Sequence, residues 1–160
     1  MRTKKQQVGD AGEDEIAKDA PCPNCGHRLV KFSKKNYPLY DLQCESCFFR
    51  VQVKTSGSSP KNSVPGAGWD IISKVLKAGF LAPPLIVNFK GKKGKLAQSE
   101  ILFFPFVTKE YMDQYELGKN HRQAGYKMFT YGRLKQLPHF RLGTRGKHRV
   151  WEAASPEMAA

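Results

Sequence analysis

Asp41, Gln52 and Lys54 carry the side-chain types that metal-assisted phosphate chemistry uses, at a spacing written Asp-x10-Gln-x-Lys. A carboxylate, an amide oxygen two residues from a lysine, and the backbone carbonyl of Val53 between them make an all-oxygen set suited to a hard divalent ion such as Mg²⁺. The lysine ammonium can help to orient or deprotonate an attacking water and can offset the negative charge that develops on a phosphate. By itself the pattern is short, and it describes a solvated strand face with a lone aspartate equally well.

All four cysteines of the chain fall in two C-x2-C pairs, Cys22 with Cys25 and Cys44 with Cys47, separated by eighteen residues. Two such knuckles present four thiolates to one tetrahedral ion, which in a reducing compartment is zinc. Four sulfur ligands close the coordination shell, so this metal is expected to be structural. Gly26 follows the second thiolate, where a knuckle turns through positive φ. Disulfides need an oxidising compartment, and the start, Met1-Arg-Thr-Lys-Lys-Gln-Gln7, has no apolar segment behind its charges. A cytoplasmic setting is therefore expected.

These residues need elements to position them. Phe48 to Lys54 alternates, with Phe49, Val51 and Val53 on one face and Arg50, Gln52 and Lys54 on the other, which predicts a half-buried strand. Leu29 to Phe32 and Tyr37 to Leu42 read as two more strands joined by a turn at Ser33-Lys-Lys-Asn36. If the strands flanking the second knuckle pair antiparallel, Asp41 comes level with Gln52 and Lys54 across the ladder. Upstream, residues 1–9 read as a basic lead-in, and Asp10 is placed to cap a short helix with Glu13, Asp14 and Glu15 in its first turns, stopped by Pro21.

Downstream, Ser56 to Gly68 is rich in Ser, Pro and Gly and reads as a loop. Its Pro65-Gly-Ala-Gly68 lacks the third glycine and the βαβ setting of a dinucleotide fingerprint. Trp69, Ile72, Val75, Leu76 and Phe80 recur at helical spacing and predict a helix over 67–79 packed on a sheet. Pro84 to Phe89 and Glu100 to Phe106 read as strands. The basic hairpin Lys90-Gly-Lys-Lys-Gly-Lys95 between them either lies against phosphates or is simply solvated. Thr108 is placed to cap a helix through about Leu117, ended by Gly118, and weaker strand signals lie at Lys127 to Tyr131 and His148 to Trp151. His139 and His148 have no partner pattern and read as ordinary surface or phosphate-contacting residues.

Composition sets the partner class. The 160 residues are 40% hydrophobic and 26% charged, enough apolar material for one ordinary core, and no run approaches the roughly 20 apolar residues of a membrane span. Against 14 Asp+Glu stand 27 Lys+Arg, a formal +13, so a polyanion is the expected partner. Nucleic acid fits better than a membrane surface, because the basic residues are interleaved with Gly and aromatic residues instead of lying on one amphipathic helix.

The run Glu13-Asp14, nine residues before Cys22-Pro-Asn-Cys-Gly26, then Asp41-x2-Cys-x2-Cys47, then Gln52-Val-Lys54, resembles the catalytic domain of DpnI-type restriction endonucleases and the related Dam-replacing proteins. Phe104-Pro-Phe-Val-Thr108, His121-Arg-Gln-Ala-Gly-Tyr126 and Gln136-Leu-Pro138 resemble further segments of that family in the same order. The resemblance implies an α/β fold: a mixed β-sheet flanked by helices, the PD-(D/E)xK restriction-endonuclease core, with an inserted four-cysteine zinc site. It implies residues 10–160 as one zinc-containing endonuclease-like domain behind the lead-in. It also implies Asp41 and Gln52 as metal ligands, with Val53 contributing its carbonyl, and Lys54 as the catalytic lysine.

The implied cofactors are structural zinc on Cys22, Cys25, Cys44 and Cys47 and catalytic Mg²⁺. The implied partner is double-stranded DNA; a homodimer is one route to cutting both strands, and the sequence leaves the oligomeric state open. Family members cleave adenine-methylated GATC sites. The departure is Gln52, which stands where the family has glutamate and removes one negative charge from the metal site. Two other readings compete with this one. A zinc-ribbon-like nucleic-acid-binding protein without chemistry explains the cysteines and the charge but not the large apolar segment from Trp69 to Phe106. A zinc-supported HNH nuclease lacks its carboxylate–histidine pair, since His27 lies in the knuckle turn and His121 is isolated.

Overall fold

The structure is a computed structural model that describes residues 1–33, 39–91 and 99–157. In chain order the elements are α1 (Lys4–Asp19), β1 (Leu29–Lys31), β2 (Leu42–Cys44), β3 (Arg50–Ser56), β4 (Val64–Gly68), α2 (Trp69–Lys77), β5 (Leu85–Phe89), β6 (Glu100–Phe104), β7 (Met112–Glu116), β8 (Lys127–Tyr131), β9 (His139–Arg145) and β10 (His148–Ala154). Seven strands form one mixed sheet in the order β1-β2-β3-β5-β6-β9-β10, and β4-β8-β7 form a second sheet. Strands β3 and β5 run parallel, so the chain between them must cross over, and that crossover supplies β4 and α2. This is the mixed α/β architecture with a cysteine cluster that the resemblance implies.

The alternation along β3 decides what lies on each face of the large sheet. Val51 and Val53 are buried with Ile16 of α1, Leu29, Leu42, Ile86 and Phe103. Gln52 and Lys54 point to the opposite face, where Leu85, Val87, Phe89, Phe104, Ile72 of α2, and Phe129 and Tyr131 of the small sheet form the other core. β5 is buried along its whole length, as expected of a central strand covered on both sides.

Helix α1 can lie close to β3 because residue 12 is glycine. A Cβ there would sit 1.8 Å from Thr55 Oγ1 and 2.8 Å from its Cβ. This close approach brings Glu13 to the edge of the sheet.

Several elements differ from the sequence reading. The first helix begins at Lys4, capped by Thr3 in a capping box with Gln6, and Asp10 pairs instead with Arg2. The expected strand from Tyr37 is not formed over 39–41, and β2 begins at Leu42, while residues 34–38 and 92–98, with most of the basic hairpin, lie outside the described residues. Part of the presumed loop is β4, whose register shifts between Pro65 and Gly68. Its glycines are required by packing, since a Cβ at Gly66 would meet the Phe129 ring at 2.5 Å.

The helix expected after Thr108 is a single 3-10 turn, Lys109–Tyr111, followed by β7, because Met112 to Glu116 pair residue by residue with β8 and tertiary pairing overrides local preference. Phe80, read as part of the α2 core stripe, lies beyond the helix end and is largely exposed. His139 is buried, with its ring against Phe104 and Nδ1 2.8 Å from the Leu137 carbonyl, so it serves packing and not a surface.

Gly9 and Gly12 sit in the same helix with opposite surroundings, because a Cβ at Gly9 meets nothing within 4 Å. Gly9→Ala should stabilise the protein by about 0.5–1 kcal/mol, the helix cost of glycine. Gly12→Ala should destabilise it by about 1–3 kcal/mol through overpacking. Urea denaturation of the two variants measures both, and equal effects would show that α1 does not rest on Thr55.

Candidate active site

The site forms where β2 and β3 part. The two strands pair at Leu42 with Val51 and at Gln43 with Arg50. One step on, the Asp41 N–H donates to the Val51 carbonyl at 3.0 Å, and the Asp41 carboxylate then takes the Val53 N–H, Oδ2 accepting at 2.7 Å. A side chain thus continues the ladder where backbone would otherwise stand. On the other side of β3, Gln52 N–H donates to the Pro84 carbonyl in the parallel ladder with β5. Peptide groups alternate along a strand, so the Val53 carbonyl lies on the Asp41 side with its own N–H. Asp41 and the Val53 carbonyl therefore share one edge, and Gln52 and Lys54 flank Val53 on one face.

The knuckles fix this corner. Gly26 adopts φ +79 and donates to the Cys22 carbonyl at 2.9 Å, and Cys44 N–H donates to the Phe49 carbonyl at 2.9 Å. All four Sγ atoms lie within 4.8 Å of one another, with Cys22–Cys47 at 3.7 Å and Cys25–Cys44 at 3.4 Å. Four sulfurs about 2.3 Å from a common zinc need separations of this size, so the cluster fits the ion. Burial pushes the Cys22 thiol up to about 12, while the Asn24 amide and Phe49 backbone pull Cys47 down to about 6. A bound cation would bring such unequal thiols to a common thiolate state.

Electrostatics mark the neighbouring edge. Burial raises the Asp41 carboxyl above its usual range, against the opposing pull of the Val53 N–H and the Lys54 charge. Burial lowers the Lys54 ammonium, with the Asp41 and Glu13 charges opposing. Glu13 of α1 is pushed up to about 7, first by burial and then by the charge of Asp41, although Lys31 lies 3.7 Å away. Two carboxyls that repel each other beside a backbone carbonyl and an amide oxygen are a donor set that fits a hard divalent cation.

The structure brings Asp41, Gln52, Val53 and Lys54 to one corner, as the spacing anticipates. Glu13, which the sequence reading gives as a helix charge and as part of the run that carries the resemblance but assigns no role in the site, joins them there. Tyr131 does too: it is buried, and its hydroxyl donates to Gln52 Oε1 at 2.7 Å. Nothing local in the sequence announces that contact, which spans 79 positions. His121 stands exposed on the β7–β8 loop, away from this corner's described hydrogen bonds.

With this geometry in view, comparison decides the family: the family model described as DpnI, Dam-replacing family, matches residues 1–141. The chain belongs to the Dam-replacing family. No curated protein matches it. The Dam-replacing match spans α1, both knuckles, β3 and the second sheet, so every element that builds the corner lies inside it. Membership places the chain among restriction-type endonucleases, for which DNA is the substrate. Among the described residues no helix is long and apolar enough to cross a membrane.

Glu13 gives a stability test with a definite sign. Its folded pKa of about 7 exceeds the ordinary 4.5, so the folded state binds this proton more tightly and loses stability as pH rises from 4.5 through 7. Without added divalent cations, Glu13→Gln should therefore be more stable than the parent at pH 8, by up to about 3 kcal/mol, with the gap closing toward pH 5. Urea midpoints of the two proteins across this range check it, and a gap that does not change with pH would contradict a Glu13 carboxyl raised by burial and by the Asp41 charge.

Proposed function

We propose that this protein is a metal-dependent endonuclease that hydrolyses phosphodiester bonds of double-stranded DNA, with Asp41, Gln52 and the Val53 carbonyl holding a divalent cation such as Mg²⁺. The observation that carries the reading is the convergence of a buried carboxylate, a backbone carbonyl, an amide oxygen and a buried lysine at one edge of β3. Bound there, the cation supplies Lewis acidity toward the scissile phosphate and the attacking water.

The protein's own groups do the rest. Lys54, whose burial favours the neutral amine, sits beside the carboxylates, where it can hold or release a proton and offset charge building on the phosphate. Glu13 offers a second carboxylate. Ionised, it restores a charge of −2 to the donor set that Gln52 leaves at −1. The net charge of +13 favours a polyanionic substrate, and Lys119 and Arg122 stand exposed on the loop that leads into β8. One such corner cuts one strand, and a homodimer is one route to cutting both. Zinc on Cys22, Cys25, Cys44 and Cys47 is assigned the structural role, tying the start of β1 to the turn before β3.

Removing zinc with a thiol-selective chelator should unfold the catalytic corner with the knuckles, and metal analysis should find about one zinc per chain. A zinc-free protein that is fully folded would contradict the assignment. For catalysis, purified protein is incubated with Mg²⁺ or Mn²⁺ and plasmids carrying or lacking adenine methylation, which also reads out methyl direction. Lys54→Ala and Asp41→Ala should lose cutting by at least about 100-fold with little change in DNA affinity. Gln52→Glu should lower the Mg²⁺ concentration needed. Unchanged cutting in the Lys54 and Asp41 variants would place the chemistry elsewhere in the chain, and none by the parent with any metal would favour a DNA-binding module without chemistry.

A further inference from the structure

The Gln52 amide is not held by close packing. It borders a cavity of about 140 Å³ whose lining includes Leu39, Ala67, Ile72, Phe129 and Tyr131. The terminal torsion of a glutamine is broad and roughly two-fold, so with open space beside it the oxygen and the NH₂ group can exchange places. The two ends are unequal toward a cation: the oxygen can ligate it, whereas the NH₂ group turns two positive hydrogens on it. A glutamate has no such choice, because its two oxygens are equivalent.

The hydrogen-bond partner of this amide is Tyr131. Its hydroxyl donates to Gln52 Oε1 at 2.7 Å, and the residue is 1% exposed. Its position is set by β8, paired with β4 on one side and β7 on the other, and by the Phe129 ring packed edge-on at 5.0 Å. A carbonyl oxygen has two lone pairs, so accepting from Tyr131 leaves one for an ion at the edge of β3.

Resting on the cation reading above, we propose that Tyr131 is a positioning residue that fixes the Gln52 amide with its oxygen toward the divalent cation, so that glutamine can serve where a carboxylate would need no orientation. The hydroxyl acts through Gln52 and touches neither substrate nor cation. Outer hydrogen bonds of this kind typically change metal affinity about 10–100-fold.

The test is Tyr131→Phe, which keeps the ring and removes the donor, made in the parent and in Gln52→Glu. Mn²⁺ affinity is measured by the electron paramagnetic resonance of free Mn²⁺, with the Mg²⁺ titration of plasmid cutting and the urea midpoint alongside. In the parent, Tyr131→Phe should weaken Mn²⁺ binding about 10–100-fold. In Gln52→Glu the loss should be several-fold smaller. Equal losses in the two backgrounds would show a merely structural effect and overturn the proposal, as would no loss in either.

Should the phenylalanine variant not fold, 3-fluorotyrosine placed at 131 keeps the shape and strengthens the donor. Mn²⁺ binding should then tighten, and unchanged or weaker binding overturns the proposal. A parent that binds no Mn²⁺ overturns the cation reading itself, whereas a parent that binds it equally well with and without the hydroxyl overturns only the role of Tyr131.

Discussion

The Val53 N–H sits where β2 leaves β3, and the Asp41 carboxylate takes it at 2.7 Å. Much of the architecture follows from that bond. A buried backbone donor must have a partner, and meeting the need with a carboxylate places a negative charge in the sheet edge. The charge has to be brought there reliably, which is the work of the cysteine cluster: Cys44 ends β2, Cys47 precedes β3, and Cys22 and Cys25 bind that turn to the segment before β1. Helix α1 closes the corner from the other side, through the contact of Gly12 with Thr55, and brings a second carboxyl with it.

Burial makes the resulting group of charges unfavourable. Asp41 and Glu13 are both raised, and Lys54 is lowered by the same burial that raises Asp41. A folded protein tolerates such a cluster when a ligand repays it, which is why perturbed groups gather at sites of chemistry. Gln52 changes the balance without abolishing it. In the proposed cation site, the amide relieves repulsion in the cation-free protein and leaves affinity to depend on the remaining carboxyls and on the orientation of one oxygen.

Local patterns were legible in the sequence and long-range ones were not. The C-x2-C spacings and the alternation of Val51, Gln52, Val53 and Lys54 state their meaning within a few residues, and the structure repeats them. Thr3 and Gln6 were equally local, a capping box at the start of α1 obscured by the lysines around it. By contrast, Met112 to Glu116 become a strand only because β8 lies alongside, and Val64 to Gly68 do so despite a proline and two glycines. Glu13 and Tyr131 reach the corner from another helix and another sheet. Their place there depends on a glycine contact and on a hydrogen bond between distant positions, and neither leaves a mark in the spacing.

The central claim, that the edge of β3 beside the knuckles is a divalent-cation site distinct from the cysteine cluster, is most directly tested by anomalous scattering from crystals grown with Mn²⁺. Data at the zinc edge and at a wavelength where manganese dominates should give two separate peaks, zinc among the four cysteine sulfurs and manganese between Asp41, Gln52 and the Val53 carbonyl. A manganese peak elsewhere, or none at saturating Mn²⁺, would contradict the account.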